Sequence, residues 1–256
     1  MQALLAPVCD IARIAGRAIL EIYGREIVVQ HKQDASPVTE ADARAEALIL
    51  EALGALLPGV PVVAEESVSQ GRIPAVGDSF WLVDPLDGTK EFINRNGEFT
   101  VNIALVRQGV PVLGVVLAPA LGRLFAGMAG AGATLEDAAG CRSIRVREPG
   151  ADGLVVVGSR SHGDAAAMDA FLGGTRVAAL RGAGSSLKFC LVAAAEADLY
   201  PRLGRTMEWD TAAGHAVLLA AGGRVLTREG QALRYGKAGF ENPHFVAAGF
   251  DWQFSS

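Results

Sequence analysis

Asp84 and Asp87 lie three residues apart across Pro85, directly after the apolar run Phe80 to Val83 and directly before Gly88 and Thr89. The run reads as a short buried strand that Pro85 ends, because proline lacks an N–H and fixes φ. Asp84 then sits at the strand's C-terminal end and Asp87 on the turn that follows. Hard oxygen ligands converging there suit Mg²⁺, which takes carboxylates together with substrate phosphate oxygens rather than a closed protein cage. Gly88 lets backbone approach a ligand closely, and Thr89 offers both an N–H and a hydroxyl. Gly88, Thr89 and Lys90 could therefore open a helix whose free N–H groups face an anion. A surface turn without chemistry is the other reading of the same residues.

Two further acidic positions could join such a site. Residues 61–64 read as a second short buried strand that delivers Glu65 and Glu66 at its end, although a glutamate pair is more often a solvated loop. Far downstream, Asp210 precedes an apolar, alanine-rich helical pattern that stops at Gly222 and Gly223. Aspartate is a good N-cap, and spacing alone leaves capping and metal binding both open for Asp210. Thr39 reads as an N-cap with Asp42 three residues on, an acidic variant of the capping box.

These positions require a scaffold of alternating elements. The pattern predicts a helix over 2–23, a strand over 26–30, a helix over 39–57 ended by Pro58 and Gly59, and strands near 61–64 and 80–83. A β meander follows from Phe99 to Met128, punctuated at 107–109 and 118–120. The glycine-rich stretch 127–140 reads as a loop with a short strand. Beyond it come strand 153–158, helix 163–172, strand 175–180, helix 184–196, strand 198–201, helix 210–221, strand 223–227 and a last strand near 244–249. Periodicity alone reaches a mixed α and β class, in one compact unit whose halves span 1–140 and 141–256.

Composition narrows the function classes. The chain has 256 residues, 50% of them hydrophobic, and a net charge of −5, which does not suggest a nucleic-acid binder. No stretch approaches the roughly 18 uninterrupted apolar residues of a membrane span. The N-terminal segment carries Asp10, Arg13, Arg17 and Glu21 at helical spacing and reads as an amphipathic helix rather than a signal peptide. The 3 cysteines form no CxxC pair, and the 4 histidines show no metal-ligand spacing, so neither a disulfide framework nor a zinc site is expected. His215 falls on the helix after Asp210 and reads as a core residue or one just behind the site.

The ordered set Glu65-Glu66-Ser67, Asp84 through Thr89, and Trp209 through Gly214 resembles the inositol monophosphatase superfamily of metal-dependent, lithium-sensitive phosphatases. The likeness runs from about the first helix nearly to the C-terminus. The strings 87–93, 96–105 and 185–190 resemble its 3'(2'),5'-bisphosphate nucleotidase branch, the CysQ type. The continuation Thr89, Lys90, Glu91, Phe92 favours that branch over inositol phosphatases, which usually carry a Thr-Asn-Phe type. The resemblance implies a layered αβαβα sandwich, the sugar-phosphatase fold. It implies that Glu65, Asp84 and the Leu86 carbonyl bind one Mg²⁺ while Asp84, Asp87 and Asp210 bind a second, within a set of two or three ions. It also implies that Asp42, beyond any capping, contacts Thr89 and that this pair positions or deprotonates the attacking water.

The same resemblance implies a substrate: adenosine 3',5'-bisphosphate, cleaved to AMP and phosphate, with PAPS as a further candidate in sulfur metabolism. Ser185 and Lys188 are expected on one face of a helix beginning near Gly184, with Arg202 after the next strand. They would grip the 5'-phosphate while Glu65, Leu86, Asp87, Gly88, Thr89 and Asp210 surround the 3'-phosphate. A capping serine and two solvated bases are the plainer reading of those residues. Arg205 stands where many relatives carry proline, adding a positive charge near the site. An inositol monophosphatase or other sugar phosphatase is the nearest alternative, and a non-catalytic binding protein the distant one. The expected setting is a cytoplasmic monomer or homodimer that binds no nucleic acid. The branch also implies a second location, peripheral on the cytoplasmic face of the inner membrane.

Overall fold

Period-two alternation in the apolar strands gives the chain two cores, one on each face of a large sheet. Phe80 and Leu82 enter one core, and Trp81 and Val83 enter the other. Ala104 and Val106 likewise oppose Ile103 and Leu105.

The computed structural model describes residues 2–25, 30–31, 37–160 and 165–253. In chain order the elements are α1 (Gln2–Tyr23), β1 (Gln30–His31), β2 (Pro37–Val38), α2 (Glu40–Leu56), β3 (Val62–Ala64), α3 (Glu65–Ser69), β4 (Ser79–Asp87) and α4 (Thr89–Ile93). The meander follows as β5 (Thr100–Arg107), β6 (Val110–Ala118), β7 (Arg123–Met128), β8 (Gly132–Asp137) and β9 (Gly140–Ile144). Then come β10 (Leu154–Ser159), α5 (Ala165–Leu172), β11 (Val177–Ala183), α6 (Leu187–Ala193), β12 (Leu199–Arg202), α7 (Glu208–Ala220), β13 (Arg224–Thr227) and β14 (Phe245–Ala248).

The strands form a small β1-β2 pair, a 7-stranded sheet ordered β3 to β9, and a 5-stranded sheet ordered β11-β10-β12-β14-β13. In the large sheet only β3 and β4 run parallel. Helices α1 and α2 cover its outer face, and α6 and α7 fill the space between the sheets. Helix α5 and Trp252 cover the far face of the small sheet. The result is the expected αβαβα sandwich. Among the described residues no helix is long and apolar enough to cross a membrane.

Glycine fixes how α7 sits. Gly114 on β6 pairs with Gly127 on β7. A Cβ on Gly114 would lie 2.3 Å from the Ala213 carbonyl oxygen, and one on Gly127 2.6 Å from Val217 Cα. Without side chains these two positions form a trough into which the α7 backbone settles, which brings the helix's first turn toward the end of β4.

Several expectations change. Pro85 does not end β4; pairing lapses after Asp84 and resumes at Asp87, opposite Thr100. An irregularity in the ladder is where a strand tolerates a missing N–H, so both aspartates belong to one bulged strand. The stretch 127–140 is not a loop, because Gly130, Gly132 and Gly140 take positive φ and turn the chain through hairpins into β8 and β9. Helix α6 is shorter than the pattern suggested. The expected strand over 26–30 falls outside the described residues except for Gln30, and residues 163–164 of the expected helix also lie outside them.

The trough makes a stability prediction. Gly114→Ala should cost about 1–3 kcal/mol through overpacking, lowering the thermal midpoint by roughly 2–12 °C at about 2–4 °C per kcal/mol. Gly54, exposed on α2 with open space around it, should tolerate alanine with an unchanged or raised midpoint. Equal midpoints for the two variants in scanning calorimetry would refute the close approach.

Candidate active site

The bulge at Pro85 and Leu86 turns Asp84 back on its own strand, where its Oδ1 accepts the Leu86 N–H (3.0 Å). Asp84 is buried, at 2% exposure, and Glu65, the first residue of α3, lies beside it. Asp210 occupies the third position of α7, not the N-cap, and its Oδ2 accepts the N–H of Met207 (2.8 Å). Asp87 Oδ2 accepts the Ser186 N–H (2.6 Å) and the Asn102 amide (3.3 Å). Three elements distant in sequence thus bring carboxylates to one place.

The electrostatic consequence is strong. Burial first, then Glu65, Asp87 and Asp210, push the Asp84 carboxyl well above the usual carboxylate range. Burial raises Asp87 to about 6 even though Lys188 pulls it down. Asp210 is raised by burial, then by Asp87 and Glu65. Crowded carboxylates that cannot all ionise freely are the donor set a hard divalent cation relieves. Among the described residues no group of three or more acidic, histidine or cysteine side chains converges tightly enough to cage an ion alone. Backbone carbonyl and ligand oxygens would have to complete the coordination. That is the usual arrangement for Mg²⁺, and it fits this donor set.

Asp42 holds both of its expected places at once. Oδ2 accepts the Thr39 N–H (2.8 Å) and the Thr39 hydroxyl (2.8 Å), which completes the capping box of α2. Oδ1 faces the Thr89 hydroxyl at 3.4 Å, and the same hydroxyl lies 3.4 Å from the Leu86 carbonyl. One proton cannot serve both acceptors, and both distances are long for an O–H···O bond. The hydroxyl is thereby left able to engage a third oxygen between them. Gly88 caps the short α4 with φ of 90°, a conformation open to glycine and strained for most other residues.

These groups border a cavity of about 440 Å³, a size that suits a small molecule. Glu65, Asp87 and Asp210 line it, with Gly88, Thr89 and Lys90 on the turn. Asp42, Asp84 and Leu86 stand behind this wall rather than on it. Ser185, Lys188 and Arg202 also line the cavity, together with Phe189 and Tyr200.

The basic residues differ from expectation in detail. Ser185 lies ahead of α6 with φ of 47°, so it does not share a helix face with Lys188. Lys188 is not a solvated base. It is 4% exposed, donates to the Ser185 carbonyl (2.5 Å) and the Ala183 carbonyl (3.3 Å), and burial pushes its ammonium down to about 8. Arg202 donates to the Arg205 carbonyl (2.9 Å). Arg205 itself points to solvent and pairs with Glu241 (3.1 Å), so its charge is answered outside the cavity. His215 is buried, bonds Tyr235 through Nδ1 (2.9 Å), and burial lowers it to about 3. Sequence reasoning missed Thr100, Asn102 and Ser186, buried polar residues beside Asp87. The visible signal was a polar pair at alternate positions in an otherwise apolar strand.

The chain matches the inositol monophosphatase family over residues 1–251. It is 48% identical over 248 residues to the 3'(2'),5'-bisphosphate nucleotidase CysQ of Salmonella typhimurium, covering 94% of this chain and 98% of that protein. To the protein of the same name in Escherichia coli K12 it is 47% identical over 247 residues, with the same coverage. Its fold is similar to the crystal structure of CysQ from Bacteroides thetaiotaomicron, with a TM-score of 0.81, 37% identity and coverage of 98% and 99%. It is also similar to a Thermotoga maritima inositol monophosphatase structure, with a TM-score of 0.80, 28% identity and coverage of 97% and 92%.

Charge crowding makes a prediction that needs no assay of activity. Asp84→Asn keeps the acceptor for the Leu86 N–H and removes one of the repelling charges. In chelator-containing buffer its thermal midpoint should equal or exceed that of wild type, because one repelling buried charge is gone. A clearly lower midpoint would mean that the Asp84 charge is favourably paired within the protein.

Proposed function

The chain belongs to the inositol monophosphatase family, and from that premise we propose that it is a Mg²⁺-dependent 3'(2'),5'-bisphosphate nucleotidase. Its substrate on this reading is adenosine 3',5'-bisphosphate, converted to AMP and phosphate, with PAPS as a second substrate. The observation that carries the reading is that a carboxylate cluster and, besides Lys90 on the turn, two further cationic side chains, Lys188 and Arg202, share one small cavity. A monophosphate needs only the first; a bisphosphate uses both.

Glu65, Asp84 and the Leu86 carbonyl would hold one Mg²⁺, and Asp84, Asp87 and Asp210 a second. Bound there, the ions would supply charge neutralisation and Lewis-acid polarisation of the 3'-phosphate. Gly88 allows the backbone close to that phosphate. The Thr89 hydroxyl orients the attacking water, and Asp42 Oδ1 stands behind it to draw off the proton. The water oxygen forms a bond to phosphorus, the bond from phosphorus to the 3' oxygen breaks, and that oxygen takes up a proton. Ser185, Lys188 and Arg202 meanwhile hold the 5'-phosphate through charge-assisted hydrogen bonds.

Turnover of adenosine 3',5'-bisphosphate, inositol 1-phosphate and fructose 1,6-bisphosphate with Mg²⁺ tests this reading. The nucleotide should be preferred, and chelation should abolish its cleavage. Lys188→Met, which keeps the buried stem, and Arg202→Ala should each lower kcat/KM for the nucleotide by roughly one to two decades, about 1.5–3 kcal/mol. Inositol 1-phosphate cleavage should barely change in Arg202→Ala and should fall less than nucleotide cleavage in Lys188→Met, whose lost ammonium also lowers the Asp87 carboxyl in the wild type. Arg205→Ala should change neither activity. Thr89→Val should lower kcat far more than it raises KM. Preference for inositol 1-phosphate would replace the nucleotidase reading with the inositol phosphatase one, and no turnover at all would leave a binding protein.

A further inference from the structure

A closed polar knot lies against Asp87 on the stretch of β5 that faces the bulge. The antiparallel register sets Asn102 opposite Asp84 and Thr100 opposite Asp87, and directly opposed residues share a face of the sheet. Thr100 and Asn102 are 0% exposed, and Ser186, which follows the positive-φ Ser185, is 2% exposed.

Asn102 Nδ2 donates to Asp87 Oδ2 (3.3 Å), and the Ser186 N–H donates to the same oxygen (2.6 Å). On its other side, Asn102 Oδ1 accepts from the Ser186 hydroxyl (2.6 Å) and lies 3.0 Å from the Thr100 hydroxyl. The two hydroxyls are themselves 3.0 Å apart. Two hydroxyl protons serve three contacts, so in every arrangement at least one points at Asn102 Oδ1. That locks the carboxamide, because turning it over would aim its oxygen at the Asp87 carboxylate and its amide at the hydroxyls. Buried polar groups are costly unless bonded, and the bonds here end on one carboxylate oxygen.

We propose that Asn102, braced by Thr100 and Ser186, is the positioning residue of Asp87. The knot holds Oδ2 and so leaves Oδ1 as the oxygen offered to a cation. This rests on Asp87 being a Mg²⁺ ligand, as assigned above. Groups that orient metal-binding carboxylates from behind typically contribute 10–100-fold in metal affinity or activity.

The test is Mg²⁺ binding measured by isothermal titration calorimetry without substrate, with thermal midpoints and the split between kcat and KM recorded alongside. Asn102→Leu should weaken Mg²⁺ about 10–100-fold and lower kcat with a smaller change in nucleotide KM. Thr100→Val should do the same to a lesser degree, and Thr100→Ser, which keeps the hydroxyl, should bind as wild type. Asp87→Ala separates the two levels of the account. If it weakens Mg²⁺ while Asn102→Leu and Thr100→Val bind normally, the positioning role is overturned and the ligand assignment stands. If Asp87→Ala itself binds Mg²⁺ normally, both fall. Should Asn102→Leu lose its cooperative melt, the comparison of Thr100→Val with Thr100→Ser decides, and equal affinities in that pair would overturn the proposal.

Discussion

Like charges are forced together where the bulged end of β4 meets the first turn of α7, and much of the molecule is arranged around that conflict. Asp84, Asp87 and Asp210 each have a carboxyl raised by burial and by one another or Glu65. A chain selected for stability alone would separate them. Here each is tied to backbone: Asp84 to Leu86, Asp87 to Ser186 and Asp210 to Met207. These bonds hold the carboxylates in place against their repulsion.

The layers make this possible. Asp210 reaches β4 only because α7 lies between the two sheets, settled on Gly114 and Gly127. Ser186 reaches Asp87 because α6 packs in the same middle layer. The large sheet supplies Asp84, Asp87, Asn102 and Thr100 from adjacent strands, while α2 brings Asp42 to Thr89 by the bond pattern that also caps its first turn. Capping and facing the site are therefore one placement of Asp42, shared between its two oxygens.

Much of this was legible in the sequence. The α2 boundaries followed from Thr39 and from Pro58 with Gly59, and the meander followed from its punctuation. The motif residues around Asp84, Asp210 and Thr89 could be singled out from residue type and order. What local pattern could not convey was tertiary. Pro85 looked like a strand stop because single-strand reasoning omits a bulge that excuses the missing N–H. Lys188 could be read as a substrate contact or as a solvated base, because local pattern does not reveal its burial beside Tyr200 of the small sheet. The knot of Thr100, Asn102 and Ser186 joins positions far apart in sequence, and only the register of β4 with β5 reveals it.

The most direct test of the central claim, that the carboxylates and the basic residues hold opposite ends of one bisphosphate, is anomalous diffraction from crystals soaked with Mn²⁺ and the products AMP and phosphate. The account predicts anomalous peaks among Glu65, Asp84, Asp87 and Asp210, with the 5'-phosphate of AMP beside Lys188 and Arg202. Mn²⁺ peaks away from those carboxylates, or the 5'-phosphate seated on them with Lys188 and Arg202 uncontacted, would contradict it.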